Sequence, residues 1–149
     1  MIYMLDTNIC IYAINKKPSS YLEKLEELEQ MRHTLSISSI VLAQLQYGVS
    51  NSQNQKRNQI NLDIFISRLE VIDFSAKCAF YYGELRAQLK KEGTVIGNND
   101  LFIASHAIAE QAVLVTNNIS EFQRVPGLIV ANWIYHQTIN NFLPITVCY

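Results

Sequence analysis

Apolar residues fall in short unbroken runs that alternate with longer stretches of helical spacing. Ile2–Leu5 is an apolar run stopped by Asp6, the pattern of a short buried strand, although four residues alone do not separate strand from helix. Thr7 and Asn8 then open a helical stretch, ICIYAI, which the proline and serines at 18–20 break. Residues 21–32 predict an amphipathic helix with Leu22, Leu25, Leu28 and Met31 on one face and glutamates on the other. Thr34–Ser38 reads as a strand, and Ser38 or Ser39 as the cap of a helix carrying Val41, Leu42, Leu45 and Val49. That helix is expected to end near Gly48. The polar stretch 51–61 leads into Ile60, Ile64 and Leu69, a further helix, and 70–74 is a weaker strand. Ser75 is placed to cap a helix running to about Lys91, with Phe80, Leu85 and Leu89 apolar.

Gly93 and Gly97 bracket the next loop. Asn98 or Asn99 can cap the helix after it, whose apolar positions are Leu101, Ile103, Ala104, Ala107 and Ile108, with Asp100 in the first turn. Residues 112–116 and 128–131 are the last strands, separated by a turn at Pro126–Gly127. Short apolar strands alternating with helices predict an α/β fold with a parallel sheet and helices on both faces.

Composition narrows the picture without naming a function. A chain of 149 residues, 49% hydrophobic and 17% charged, fits one globular domain with one core. No apolar run is long enough for a bilayer, and no basic leader precedes the first strand, so a membrane is not expected. Cys10, Cys78 and Cys148 are odd in number and form no C-x-x-C pair, which fits buried thiols in a reduced cytoplasmic setting. A net charge of −1 carries no signature of nucleic-acid binding, but the field at a site depends on where charges sit.

Carboxylates fall at element boundaries. Ligands of open parallel sheets bind outside the carboxyl ends of the strands. Asp6 directly follows the first strand, and Asn117 and Asn118 follow the strand VLVT in the same way. Asp100 opens a helix, and Glu121 lies three residues beyond Asn118. Three carboxylates converging there would make a hard oxygen site for Mg²⁺ or Mn²⁺, ions that catalyse phosphodiester hydrolysis. Each residue alone also has a plainer reading. Asp6 can cap the following helix, Asp100 can complement a helix dipole, and Glu121 can be a solvated loop residue.

Four segments in order, MLDTNICIYAI, SSIVLAQLQYG, ELRAQLKKEGTVIGNNDLFIASHA and VLVTNNISEFQRVPGLIVANW, resemble the PIN-domain toxins of type II toxin–antitoxin systems, the VapC family. The similarity covers about residues 1–133. It implies a three-layer α/β/α fold with a central, mainly parallel sheet. It also implies an endoribonuclease dependent on Mg²⁺ or Mn²⁺ that cuts tRNA or other structured RNA with an activated water and leaves a 5′-phosphate. A homodimer and a cognate VapB-type antitoxin are implied partners. Asp6 and Asp100 match metal-binding aspartates and Glu121 a further acid. Thr7, Asn8, Thr116, Asn117 and Asn118 are expected to support them. Arg86 and Arg124 are expected beside the site, within reach of RNA phosphate.

The chain departs from this pattern at Gln44, in VLAQLQYG, where the family usually has Glu. The amide keeps an accepting oxygen but lacks charge and base function, so weaker metal binding and slower hydrolysis are expected. A catalytically silent PIN domain that binds RNA or antitoxin without cleavage is the alternative. A haloacid-dehalogenase-type phosphatase is disfavoured, because Asp6-Thr7-Asn8 lacks the D-x-D such an enzyme carries after its first strand. Residues 134–149 extend past the usual end of the family and receive no function.

Other side chains have structural readings. His33, His106 and His136 show no triad or zinc spacing, and His106 is expected to be a satisfied helical histidine. Cys10 is expected in the core. Lys90 and Lys91 suit a helix C-terminus. Tyr47, Tyr81 and Tyr82 could stack on bases, with core or dimer packing as the default.

Overall fold

The computed structural model describes residues 1–133, so the tail 134–149, with His136 and Cys148, lies outside the described residues. Five strands form one parallel sheet: β1 (Ile2–Leu5), β2 (Thr34–Ser38), β3 (Glu70–Ile72), β4 (Val113–Val115) and β5 (Ile129–Ala131). Their spatial order is β3-β2-β1-β4-β5, so β1 is central and pairs with both β2 and β4. Met4, Leu5 and Val113–Val115 are buried, which explains their unbroken apolar runs: a strand covered on both faces has no polar side to present.

The helices are α1 (Thr7–Asn15), α2 (Ser20–Gln30), α3 (Ser39–Ser50), α4 (Gln55–Ile66), α5 (Ala76–Glu92), α6 (Asn98–Ala109) and the single turn α7 (Ile119–Phe122). α1 begins immediately after β1 because Asp6 adopts an extended conformation and its side chain accepts the Thr7 N–H. Ser38 does the same between β2 and α3, accepting the Ile40 N–H. α5 ends at Gly93, whose φ of 71° is the left-handed conformation glycine tolerates. One continuous core joins the sheet to Ile9, Cys10, Leu25, Val41, Leu89, Leu101 and Phe122.

Several local expectations change. α6 is capped by Gly97, not by Asn98 or Asn99, because the helix begins one residue earlier and both asparagines are already helical. Ser75 makes no capping bond; its hydroxyl lies 3.4 Å from the Cys78 sulfur. Met31 lies past the end of α2 and is exposed. On α4 the buried residues are Leu62 and Phe65, while Ile60 and Ile64 face solvent, Ile64 at 62% exposure. Phe80 on α5 is 65% exposed and packs edge-on against Tyr81.

The sheet order places the site. The order of strands changes direction at β1, between its neighbours β2 and β4, and a crevice opens at such a switch point. Leu5 pairs with Val115, and the Asp6 N–H donates to the Val115 carbonyl at 2.9 Å. Asp6 and Thr116 therefore emerge side by side at the carboxyl edge.

Candidate functional site

Asp6 is the best-anchored member of this edge. It is only 4% exposed, its Oδ1 accepts the Thr7 N–H at 2.7 Å, and its Oδ2 accepts the Thr116 hydroxyl at 2.8 Å. Burial raises its pKa, and the Thr116 and Thr7 donors oppose that by stabilising the anion. The Thr116 oxygen in turn accepts the Asn118 N–H at 3.0 Å, which fixes the turn after β4.

Asp100 reaches the same edge from the first turn of α6, where the positive helix end favours an acid. Its Oδ2 accepts a long bond of 3.4 Å from the Asn118 side-chain amide. Its pKa is pushed up to about 6, first by burial and then by the negative charges of Asp6 and Glu121. The fields of the other two acids thus meet at Asp100. Glu121, on α7, has one carboxylate oxygen buried with no hydrogen-bond partner among the described residues.

Gln44 enters from α3, and its Oε1 accepts the Thr7 hydroxyl. Asp6, Thr7, Asn8, Gln44, Asp100 and Asn118 line one cleft of about 660 Å³, together with Ile40, Ala43, Tyr47 and Asn99. Ile40, Ala43, Gln44 and Tyr47 share one face of α3 at spacings of three and four, a signal readable in the sequence. Asn117 turns away to exchange hydrogen bonds with the Tyr21 hydroxyl at 2.7 and 3.0 Å. Tyr21 had no signal of this role, because it reads as one more apolar position of α2. Its contact ties α2 to the loop after β4.

Arg86 and Arg124 are not among the residues lining the cleft. The Arg86 guanidinium bonds the Tyr82 hydroxyl at 3.1 Å and lies over that ring, and Arg124 bonds the Val95 carbonyl. Tyr82 itself stacks on Phe102 at 4.3 Å, which is packing.

The carboxylates of Asp6 and Asp100 and the Gln44 amide oxygen line the cleft and suit a hard divalent cation, whereas Glu121 is not among the lining residues and acts on Asp100 through its charge. Among the described residues the trio of ligand-type side chains drawn within 4.8 Å of one another is a different one, Cys78, His106 and Glu110. Asp6, Asp100 and Glu121 are not drawn together as closely as that trio.

Known proteins supply the remaining context. The PIN domain family profile matches residues 3–128. A protein from Rickettsia felis called Ribonuclease VapC2 is 68% identical over 133 residues, covering 89% of this chain and 98% of its own length. A tRNA(fMet)-specific endonuclease VapC from Salmonella typhimurium is 43% identical over 131 residues, covering 88% of this chain and 97% of the relative. Among solved structures, VapBC2 of Rickettsia felis bound to a promoter DNA fragment superposes with a TM-score of 0.85 at 68% identity, covering 89% of this chain and 99% of that one. DNA-bound VapBC of Salmonella typhimurium gives a TM-score of 0.83 at 41% identity, covering 89% and 98%.

Proposed function

The chain belongs to the PIN-domain family, among its VapC ribonucleases, and we propose that it is the endoribonuclease toxin of a toxin–antitoxin module, restrained by a VapB-type antitoxin. PIN-domain nucleases generally use a divalent metal, and we infer Mg²⁺ or Mn²⁺ here, held by Asp6, Asp100 and Glu121. The observation that supports the reading most is that Asp6, Asp100 and Gln44 line one cleft at the carboxyl edge of β1 and β4.

A bound divalent ion supplies neutralisation of phosphate charge and a lowered pKa for water. The protein's own groups do the rest. Thr116 and Thr7 stabilise the anionic form of Asp6 against its burial and fix the orientation of its carboxylate at the cleft. Asn118 orients Asp100. Gln44 contributes a neutral oxygen where a carboxylate would add charge, so the site holds its ion less firmly. Tyr47, exposed at the rim, offers a ring on which an unpaired base can stack. Structured RNA such as tRNA is the substrate class, as for the Salmonella relative. A homodimer is the assembly the same reading implies.

The test is cleavage of tRNA by the full chain with Mg²⁺ or Mn²⁺, beside Asp6→Asn and Gln44→Glu. Metal-dependent cuts that Asp6→Asn loses support the reading. Silence of both the chain and Gln44→Glu overturns it. A second reading is favoured by Gln44 alone: a PIN domain that binds RNA or antitoxin without turnover. It is supported if RNA binding is retained, unaffected by added metal, while no cleavage occurs.

A further inference from the structure

A second cluster of ligand-type side chains lies between α5 and α6, away from the acidic cleft. Cys78 on α5 and His106 on α6 are both fully buried, and Glu110 at the end of α6 is half-buried. The Cys78 sulfur, a His106 ring nitrogen and a Glu110 carboxylate oxygen lie within 4.8 Å of one another. His106 and Glu110 are four residues apart and so project from one helical face toward α5.

The histidine is only half satisfied. Its Nδ1 is 2.8 Å from the Ser38 hydroxyl, whereas Nε2 is buried with no hydrogen-bond partner among the described residues. A buried polar nitrogen left unpaired is destabilising, so it calls for an explanation. Metal-binding histidines have this arrangement: one nitrogen is fixed by a neighbouring polar group and the other coordinates. The sulfur has a supporting group too, since the Ser75 hydroxyl lies 3.4 Å away and can donate to a thiolate. The Phe74 ring packs edge-on to His106 at 5.5 Å and shields the imidazole from water. Lys77, a neighbouring cation that could compete, donates to the Ala109 carbonyl instead. Glu110 sits at the C-terminus of α6, where Lys77 on the neighbouring Ala109 carbonyl offsets the unfavourable helix dipole.

We propose that Cys78, His106 and Glu110 form a Zn²⁺ site that clamps α5 to α6. Mixed sulfur, nitrogen and oxygen donors select borderline-soft Zn²⁺ over Mg²⁺. Donor atoms around tetrahedral zinc are roughly 3.3–3.6 Å apart, so the three side chains close by about an ångström through side-chain rotation. Cys78 would release its thiol proton on binding, and solvent beside the half-buried Glu110 would accept it and supply the fourth ligand. His106 stands six residues beyond Asp100, about 9 Å along the helix axis, so this site is separate from the acidic cleft and does not rest on the nuclease reading.

The experiment is titration of the metal-free full chain with Co²⁺, a spectroscopic stand-in for Zn²⁺, followed by displacement with Zn²⁺. The expected result is a thiolate-to-cobalt charge-transfer band that one equivalent of Zn²⁺ removes and excess Mg²⁺ leaves alone. Cys78→Ser should abolish the band, while Cys10→Ser and Asp100→Asn should keep it. Glu110→Gln, a near-isosteric change at a half-buried position, should weaken Zn²⁺ binding at least about tenfold. No band in the unaltered chain overturns the site. So does a band that survives Cys78→Ser, one lost in Asp100→Asn, or Zn²⁺ affinity unchanged in Glu110→Gln.

Discussion

The Thr116 hydroxyl donates to Asp6 Oδ2 at 2.8 Å across 110 positions of chain, and both groups are buried. The contact exists because Leu5 and Val115 pair in register on adjacent parallel strands. Thr116→Val keeps the side-chain shape but removes the donor. Metal affinity, read by Mn²⁺ titration, should fall roughly 10–100-fold, as for loss of other groups that orient a ligand. Thr116→Ser should retain most of it.

Asp100→Asn removes a proposed ligand itself. Cleavage should fall by more than the roughly 10–100-fold expected of a supporting group. Chelation of divalent ions in the unaltered chain should produce the same silence, restored by added Mn²⁺. An Asp100→Asn protein that still cuts at the original rate would remove Asp100 from the site.

Asp100 also gives the metal-free protein a pH dependence. Its pKa rises on folding from an ordinary 3.8 to about 6, so between those values the folded state binds more protons than the unfolded state. Stability contributed at this position is therefore highest at low pH and declines as pH rises from about 4 to about 6. Asp100→Asn should flatten that part of a Tm-against-pH curve, and saturating Mg²⁺ should offset the loss at the upper end. Divalent-ion binding, which needs the anion, should weaken as pH falls below about 6, read by Mn²⁺ titration at several pH values.

Gln44→Glu adds a charge where the side chain already lines the cleft and accepts from Thr7. Half-maximal activation should move to lower metal concentration and the cleavage rate should rise. Metal titrations of activity that superimpose for the unaltered chain and the Gln44→Glu variant would show that the position takes no part in holding the ion.

Leu101 is fully buried one residue beyond Asp100. Leu101→Ala should destabilise the chain by about 2–5 kcal/mol in chemical denaturation, through lost burial and the cavity left behind. Ile64→Ala, on the exposed face of α4, should cost far less.

The order of elements was legible in the sequence, because strands covered on both faces must be continuously apolar and the intervening helices must carry a helical stripe. Asp6 was legible for the same reason: a carboxylate that ends a buried strand has to emerge at the sheet edge. Finer choices were not. Ile60 and Ile64 fit a helical pattern as well as Leu62 and Phe65 do, and only the packing of α4 against α1 and α3 selects the buried pair. Asn98 looked like a cap because its chemistry suits one, but Gly97 in extended conformation lets α6 begin earlier.

The sequence by itself determined which residues stand at the ends of strands and helices, since local periodicity and capping chemistry act over a few neighbours. Tertiary structure decided which of those ends meet. The order β3-β2-β1-β4-β5 brings β4 against β1, so Thr116 reaches Asp6, and the fold draws the charges of Asp6 and Glu121 onto Asp100. The packing of α5 on α6 likewise brings Cys78 to His106 and Glu110, a pair spaced four apart on α6 whose distance from Cys78 along the chain gives no local signal. Such encounters depend on long-range burial and strand pairing, which no local pattern of residues encodes.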